Sequence, residues 1–369
     1  MILSSTTGSN QERICSNILS PRSTFSNSII NSTEDELCTK YKYNTNTQFN
    51  KVLIIGLGQL GLTVARYVTE KGFDTYGFDI SNQAIERAEK TTAVKKAINF
   101  GEFDVYIICV STHKPDDLFS PQIDGLLSIA EKISREAKDG ALVSIESTIP
   151  NGTSKKVFEM LSHRLHVVHA PHRWYAAEEK EHGVNQLRVI GGVCDCCLKA
   201  GLQFYGLNND TTNTTNTTIG ITNPITSNSI DGNNNNYDDN NGNENKDKQK
   251  SLGIPMHPVS EVEIAETTKI VENAHRYLQI AFAEDLYLYC QANDINFPEL
   301  RDALNTKWNV NILEPREGIG GHCLPKDTKM FLQSSNRNNS KILTAAMDVD
   351  EDYKRFRAKL EKQIKSATY

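Results

Sequence analysis

A glycine cluster between a short apolar run and an amphipathic segment constrains the fold of this chain more than any other feature. Residues 51–55 (KVLII) precede Gly56-Leu-Gly58-Gln-Leu-Gly61, and a helical pattern follows before a second apolar run ends at Asp79. The first glycine permits a tight turn, the second lets the backbone approach a diphosphate, and the third allows close helix packing. The pattern predicts a strand–helix–strand unit that binds a dinucleotide.

Asp79 indicates which dinucleotide this unit prefers. It lies 23 residues after Gly56, where a carboxylate accepts hydrogen bonds from the adenosine ribose and repels a 2′-phosphate. No arginine follows it directly. These features favour NAD over NADP, and we expect Gln59 and Leu60 of the glycine cluster to contact the cofactor.

The rest of the first half alternates between strand and helix patterns. Four apolar runs predict buried strands, at 105–110, 141–146, 165–169 and 187–191, and helical spacing predicts a helix at 123–138. Alternation of this kind is typical of a parallel doubly wound α/β sheet, so we expect a Rossmann domain over residues 51–207.

Two polar segments account for a hydrophobic fraction of only 38%. Residues 1–50 and 208–250 are rich in Asn, Ser and Thr and have no periodic apolar pattern. Such composition buries too little apolar surface to offset the entropy of ordering. We therefore expect a disordered N-terminal tail and a disordered insertion.

The segment after the insertion has the longest helical pattern in the sequence. Apolar residues recur at helical spacing over roughly 30 residues, and Ser260 with Glu263 predicts a capping box in front of them. A helix of about 45 Å commonly bridges domains or subunits. We expect a helical central domain at 251–350, a homodimer through the long helix, and the start of a further region at 351–369.

Two polar motifs accompany these predicted elements. Thr148 lies in residues 146–153 (ESTIPNGT), at the carboxyl end of a predicted strand, where open α/β sheets bind ligands. It can hold a water molecule or a substrate hydroxyl, or simply belong to the cap of the next helix. Lys269 and Asn273 are four residues apart on the long helix and share a face, which is either functional or merely solvated.

Residues 318–327 (GIGGHCLPKD) contain a candidate nucleophile. The glycines expose the backbone, and His322 and Lys326 are placed beside Cys323, where positive charge favours the thiolate. The alternative is an incidental buried cysteine in a glycine-rich turn.

Charge and cysteine distribution argue against several classes of protein. A formal net charge of −6 disfavours a nucleic-acid-binding surface. No apolar run approaches the about 20 residues that cross a bilayer, and no secretion signal is recognisable. The eight cysteines are scattered, which favours reduced thiols and a cytoplasmic protein. Cys194, Cys196 and Cys197 lack a second group at zinc spacing, so we expect no metal site.

Five motifs occur in a fixed order along the chain. They are the glycine cluster, Val110-Ser-Thr112, residues 146–153, Lys269 with Asn273, and residues 320–327. In this order they resemble the UDP-glucose/GDP-mannose dehydrogenase family of nucleotide-sugar 6-dehydrogenases, over residues 51–353 with the insertion between. Residues 309–323 are most similar to the UDP-N-acetylmannosamine dehydrogenase branch, whereas the PKD that follows is closer to the UDP-glucose branch.

The resemblance implies NAD as cofactor, a UDP-sugar as substrate and a four-electron oxidation of its C6 alcohol to the uronic acid. It implies a thioester on Cys323, oxyanion stabilisation by Lys269 and Asn273, and positioning of water by Asp327 and Thr148. Further cofactor contacts would come from Val110, Thr112, Glu146 and Thr148.

Two departures from the family pattern keep alternatives open. His172 stands where the family carries a glutamate, and the chain ends at Tyr369, soon after a segment resembling the helix that leads into the family's UDP-binding domain. We therefore expect most of that domain to be missing or supplied by another polypeptide. The alternatives are a two-electron β-hydroxyacid-type dehydrogenase, which gives Cys323 no role, and an NAD-binding or assembly protein with reduced catalysis.

Overall fold

The computed structural model describes residues 48–114, 116–117, 120–174, 183–206, 250–334 and 340–367. The predicted disordered tail and insertion lie almost entirely outside these residues, so their disorder stays a prediction.

One sheet of eight strands organises the first part of the described chain. The strands are β1 (Lys51–Ile55), β2 (Asp74–Phe78), β3 (Lys95–Lys96), β4 (Val105–Ile108), β5 (Leu142–Ile145), β6 (His166–His169), β7 (Arg188–Gly192) and β8 (Met256–Pro258). Their order is β3-β2-β1-β4-β5-β6-β7-β8. The residues of β4, β5 and β6 are all buried, as expected for apolar strands covered on both faces.

The sheet is parallel except at one position. Strand β7 runs antiparallel to β6, and β8 is parallel to β7. The predicted doubly wound α/β fold is therefore confirmed with one reversed step. An apolar run contains no information about strand direction, which explains why the sequence did not indicate the reversal.

Nine described helices surround and extend the sheet. They are α1 (Gln59–Glu70), α2 (Asn82–Thr92), α3 (Asp124–Glu136), α4 (Thr153–Met160), α5 (Asp195–Tyr205), α6 (Val262–Ala292), α7 (Phe297–Asn305), α8 (Cys323–Ser334) and α9 (Lys341–Ala367). Helix α6 packs against both α8 and α9. Tyr277, Ala281, Ile319 and Ala346 form a buried cluster in this helical part.

The predicted capping box at the start of α6 is wrong. The N-cap residue is Glu261 rather than Ser260, and no side chain caps the first turn of this helix. Glu263 instead forms an ion pair with Lys155 of α4, with an N–O distance of 2.8 Å. Buried Glu266 accepts hydrogen bonds from the backbone N–H groups of Gly152 and Ser154, at 2.6 and 2.7 Å. Glu263 and Glu266 of the first turns of α6 thus hold the start of α4 instead of capping their own helix.

Within the described residues, no helix combines the length and apolarity needed to cross a membrane. The cytoplasmic location stays a prediction.

Candidate active site

The glycine loop after β1 has the shape that a diphosphate requires. Gly56 has φ +90°, and a Cβ there would lie 2.6 Å from the carbonyl oxygen of Cys109. A Cβ on Gly61 would lie 1.7 Å from the carbonyl oxygen of Gly56. By contrast, no atom lies within 4 Å of a Cβ built on Gly58, the N-cap of α1, and no side chain caps that helix. The loop therefore leaves open space and free N–H donors where an anion binds.

Asp79 is held rigidly beside this loop. Its Oδ2 accepts a hydrogen bond from the N–H of Leu57 at 2.7 Å, and its Oδ1 accepts one from the N–H of Ser81 at 2.8 Å. Each carboxylate oxygen keeps a second lone pair for a ribose hydroxyl. The neighbouring Ile80 is 96% exposed and offers an apolar surface for an adenine ring. These residues fit NAD.

The loop before α8 is fixed by helix α9. Asp350 accepts a hydrogen bond from the N–H of Ile319 at 2.9 Å, and Lys354 donates one to the Ile319 carbonyl at 3.0 Å. The hydroxyl of Tyr353 donates to the carbonyl of Pro315 at 2.6 Å. The predicted boundary between residues 350 and 351 thus falls inside the continuous helix α9. Residues on both sides of this boundary hold the loop before α8.

A chain of polar contacts joins the sheet to helices α6 and α8 at this site. The Asn273 amide donates to Asp327 Oδ2 at 2.5 Å, and Lys326 Nζ lies 2.9 Å from Asp327 Oδ1. Lys326 Nζ also donates to Thr112 Oγ1 at 3.0 Å. Three residues predicted for the site, Thr112, Asn273 and Asp327, are therefore brought together through Lys326.

Lys269 and Cys323 influence each other electrostatically. Burial lowers the pKa of Lys269, while the negative charge of Asp327 opposes that shift. Burial also raises the pKa of Cys323, and Asp327 raises it further, against the opposing charges of Lys326 and Lys269. Cys323 nevertheless remains accessible to solvent. It is therefore a thiol at neutral pH, and it needs a proton acceptor when it reacts.

The prediction that His322 and Lys326 favour the thiolate holds only for the charge of Lys326, which lowers the pKa of Cys323 but is outweighed by burial and Asp327. The ammonium of Lys326 is paired with Asp327, which offsets its effect on the sulfur. Burial and the charge of Lys326 lower the pKa of His322, so its ring is neutral. His322 Nε2 lies 3.6 Å from Cys323 Sγ, near enough to exchange a proton with it after small movement.

Glu146 lies in a buried polar cluster at the carboxyl end of β5. Its carboxylate accepts hydrogen bonds from Arg188 Nη1 at 3.2 Å, from the hydroxyl of Tyr205 and from Nε2 of His172. Burial opposes its ionisation, but His172 and Arg188 lower its pKa to about 2. Burial and Arg188 lower the pKa of His172 to about 4. At neutral pH the cluster contains one carboxylate, one guanidinium and a neutral imidazole.

The remaining predicted site residues lie just after the carboxyl ends of β4 and β5 and at the start of α1. Thr148 is half-buried two residues after Glu146, and no hydrogen bond or ion pair joins it to Cys323 among the described residues. The carbonyl of Val110 accepts a hydrogen bond from the Ser147 hydroxyl at 2.8 Å. Gln59 and Leu60 begin α1 beside the glycine loop. Their contacts with the cofactor stay predictions, as does that of Glu146, whose carboxylate is occupied by Arg188.

Two family models match this chain. The NAD binding domain of the UDP-glucose/GDP-mannose dehydrogenase family matches residues 86–206, and the central domain of the same family matches residues 263–352. The chain belongs to the UDP-glucose/GDP-mannose dehydrogenase family. NAD is therefore its cofactor, as the sequence predicts.

Curated relatives of this family member share about a quarter of its residues. The UDP-N-acetyl-D-mannosamine dehydrogenase of Campylobacter jejuni is 27% identical over 353 residues, which cover 86% of this chain and 76% of the relative. The enzyme of that name from Methanococcus maripaludis strain S2 is 26% identical over 324 residues, covering 82% of this chain and 65% of the relative. This family member thus spans about two thirds to three quarters of their length.

Solved structures show the same fold. The UDP-D-ManNAc dehydrogenase of Pyrococcus horikoshii superposes with a TM-score of 0.65 at 23% identity, covering 86% of this chain and 72% of that one. The 3-hydroxyisobutyrate dehydrogenase of Mycobacterium tuberculosis reaches 0.56 at 13% identity, covering 84% of this chain and 94% of that one. Because both kinds of dehydrogenase share this fold, the site residues must decide between their chemistries.

Proposed function

We propose that this chain is an NAD-dependent UDP-sugar dehydrogenase that oxidises the C6 alcohol of UDP-N-acetylmannosamine, or a similar UDP-hexose, to the uronic acid. The observation that carries the proposal is the grouping of an accessible thiol, Cys323, with Lys269, Asn273 and Asp327. A dehydrogenase that stops at the aldehyde has no use for a thiol at this position.

The first oxidation removes a hydride and a proton from the C6 hydroxymethyl group and leaves an aldehyde. NAD, when bound, accepts the hydride that each oxidation removes. Burial lowers the pKa of Lys269 and so increases the fraction of its neutral amine, the form that can take the hydroxyl proton. The resulting ammonium stabilises negative charge on the oxygen, and Asn273 can donate its second amide N–H to the same atom.

The second oxidation begins when Cys323 adds to the aldehyde carbon. The sulfur–carbon bond forms as the thiol proton leaves, and the product is a tetrahedral thiohemiacetal. Because the pKa of Cys323 is raised, its proton needs an acceptor, and we assign this role to His322 Nε2, which lies 3.6 Å from the sulfur. Loss of a second hydride from this carbon to NAD, together with the proton of its hydroxyl group, gives the thioester.

Hydrolysis then releases the acid. Water adds to the thioester carbonyl, the carbon–sulfur bond breaks, and the Cys323 thiol is restored. We assign Asp327 and Thr148 to positioning this water molecule. Asp327 is already oriented by Asn273 and Lys326, whereas Thr148 extends from the end of β5.

The stoichiometry of the reaction tests the proposal. Purified protein supplied with NAD and a panel of UDP-sugars should form two NADH for each sugar consumed and should accumulate the uronic acid. One NADH per sugar, with aldehyde or ketone as the product, would identify a two-electron dehydrogenase. Tight NAD binding without turnover of any sugar would support a binding or assembly role, for which His172 is the argument.

We also propose that the protein forms a homodimer through α6. Four large apolar side chains of this helix are exposed by 40 to 58%: Ile264, Val271, Phe282 and Tyr289. Their spacings of 7, 11 and 7 residues place them on one face, which we call the α6 stripe. An exposed apolar stripe of this length commonly marks an interface.

Phe282→Asp should therefore dissociate the dimer. Light scattering should give twice the chain mass of 41.3 kDa for the unmodified protein and a single chain mass for the variant. Gln291→Asp is the matched control, because it adds the same charge to an exposed position on the opposite face of α6. A monomeric unmodified protein, or a Phe282→Asp variant that stays dimeric, would contradict the assignment.

A further inference from the structure

Three cysteines and a histidine converge at the sheet edge opposite the glycine loop. Cys194 is the N-cap of α5, and its Sγ lies 3.1 Å from Cys196 Sγ and 3.2 Å from Cys197 Sγ. His166, the first residue of β6, places Nδ1 at 3.7 Å from Cys196 Sγ and 3.8 Å from Cys197 Sγ. We call these four residues the Cys3His cluster.

The Cys3His cluster takes no part in the active site described above. Parallel strands bind nucleotides at their carboxyl ends, whereas His166 lies at the amino end of β6. The cysteines reach it because β7 runs antiparallel and delivers the start of α5 to this edge. The proposed dehydrogenase reaction therefore uses none of these four side chains.

The donor set matches the requirements of a tetrahedral thiophilic ion. Three thiolates and one imidazole are a common ligand set for structural zinc. The donor atoms of His166, Cys196 and Cys197 all lie within 4.8 Å of one another. Zinc–sulfur bonds of about 2.3 Å at tetrahedral angles separate two sulfurs by about 3.8 Å. Cys194 Sγ is closer than this to both other sulfurs and stands outside that group of three, so it must shift to become the fourth ligand.

The surroundings also stabilise thiolates. The N–H of Val167 donates a hydrogen bond to Cys197 Sγ at 3.3 Å. The positive end of the α5 dipole points at Cys194 and its neighbours, which lowers the cost of negative charge on sulfur. Cys197 and His166 are buried, at 0 and 5% exposure, so two of the ligands are shielded from water.

We propose that the Cys3His cluster binds one zinc ion, which links the start of β6 to the start of α5. A dithiol–disulfide couple of Cys194 and Cys197 is the competing interpretation, since they form a C-x-x-C pair at a helix N-terminus. Two observations favour the metal. A couple needs only two sulfurs, and here a third sulfur and an imidazole nitrogen complete a four-donor set.

The test uses the full chain, purified and reduced, with zinc or cobalt as the probe. We expect one zinc ion per chain that survives dialysis, and a cobalt form with the visible spectrum of a tetrahedral thiolate site. Cys196→Ser and His166→Gln should each lower zinc affinity by at least about 100-fold, more than loss of an outer-shell partner costs. Both should also lower the melting temperature of zinc-loaded protein toward that of the metal-free protein.

Cys290→Ser and Cys323→Ser are the controls, because both thiols lie outside the cluster, and both variants should retain the zinc. If a variant of the cluster fails to fold, chelator competition on the unmodified protein with its cobalt spectrum decides the question. Absence of bound metal in the reduced protein, or equal zinc retention by Cys196→Ser and the controls, would overturn the proposal. A Cys194–Cys197 disulfide in protein that binds no zinc would establish the redox couple instead.

Discussion

Cys323→Ala is expected to abolish formation of the uronic acid while leaving NAD binding unchanged. Loss of a covalent nucleophile lowers turnover by at least about 10³-fold, and Cys323 is the only cysteine that the proposed reaction uses. The first oxidation needs no thiol, so the variant should still produce one NADH per sugar and release aldehyde. Calorimetric titration with NAD and product analysis after a single turnover measure the two effects separately.

Ser334→Ala is a matched control for this variant. It truncates an exposed side chain by one polar atom at the other end of the same helix, α8, far from the reacting atoms. It should keep the parent rate. Acid formation by Cys323→Ala at the parent rate would eliminate the thioester mechanism and favour the two-electron alternative.

The raised pKa of Cys323 adds a pH dependence to this comparison. Because burial and Asp327 keep the group as a thiol near neutrality, the thiolate fraction increases as pH rises toward that pKa. Acid formation should therefore become faster with rising pH, whereas aldehyde formation by Cys323→Ala should not follow the same curve. Parallel pH profiles of the two rates would argue against thiol deprotonation in the second oxidation.

The cofactor half of the site was predictable because its determinants are local in sequence. The turn at Gly56, the close packing at Gly61 and the position of Asp79 all follow from one strand–helix–strand unit. Such a unit has few ways to fold, and the glycines specify the backbone directly. The order of motifs then indicated the family, which the two matching family models confirm.

The substrate half was predictable only in its residue types. Asn273 and Asp327 were both expected, but their direct hydrogen bond and the bridging role of Lys326 depend on how α6, α8 and the sheet pack. The thiolate prediction held only in part for the same reason. The closeness of Lys326 to Cys323 in the sequence does not show that the lysine forms an ion pair with Asp327.

The partners of Glu146 and the Cys3His cluster could not be predicted. Arg188 heads an apolar strand and gives no sequence signal of an ion pair with a residue 42 positions away. Likewise His166 reaches the Cys194 region, about 30 residues later, only because β7 reverses direction. Contacts that depend on sheet topology become visible only once strand order and direction are known.

Arg188→Met should produce a large loss of stability. Arg188 is 1% exposed and pairs with Glu146, which is 2% exposed, so the substitution leaves a carboxylate buried without its cation. Breaking a buried pair in this way costs about 3 to 5 kcal/mol in the free energy of unfolding. Urea unfolding followed by circular dichroism measures the difference.

Arg135→Met is the matched control. The same substitution there removes an ion pair with Glu131 whose side chains are both 63% exposed, at an N–O distance of 2.8 Å. Exposed pairs of this kind contribute less than about 1 kcal/mol. The double variant Arg188→Met with Glu146→Gln should regain part of the loss, because it no longer buries a charge. Equal effects of the two single variants would show that the buried cluster contributes no more than a surface pair.

The pH dependence of this loss identifies its electrostatic origin. The pKa of Glu146 in the folded protein, about 2, lies below its ordinary value of 4.5, so the unfolded chain takes up this proton first. The carboxylate therefore stabilises the fold above about pH 4.5, and this contribution is lost as pH falls toward 2. The lowered folded-state pKa of His172 has the same effect, since the fold loses stability as pH falls from 6.5 to about 4.

Removing Arg188 takes away a cation that lowers the pKa of Glu146. In the variant, Glu146 should therefore take up a proton, and lose its buried charge, at a higher pH than in the parent. The difference in unfolding free energy between Arg188→Met and the parent should be largest near neutrality and should narrow as the solution is acidified. A difference independent of pH would mean that lost packing, rather than an unpaired buried charge, destabilises the variant.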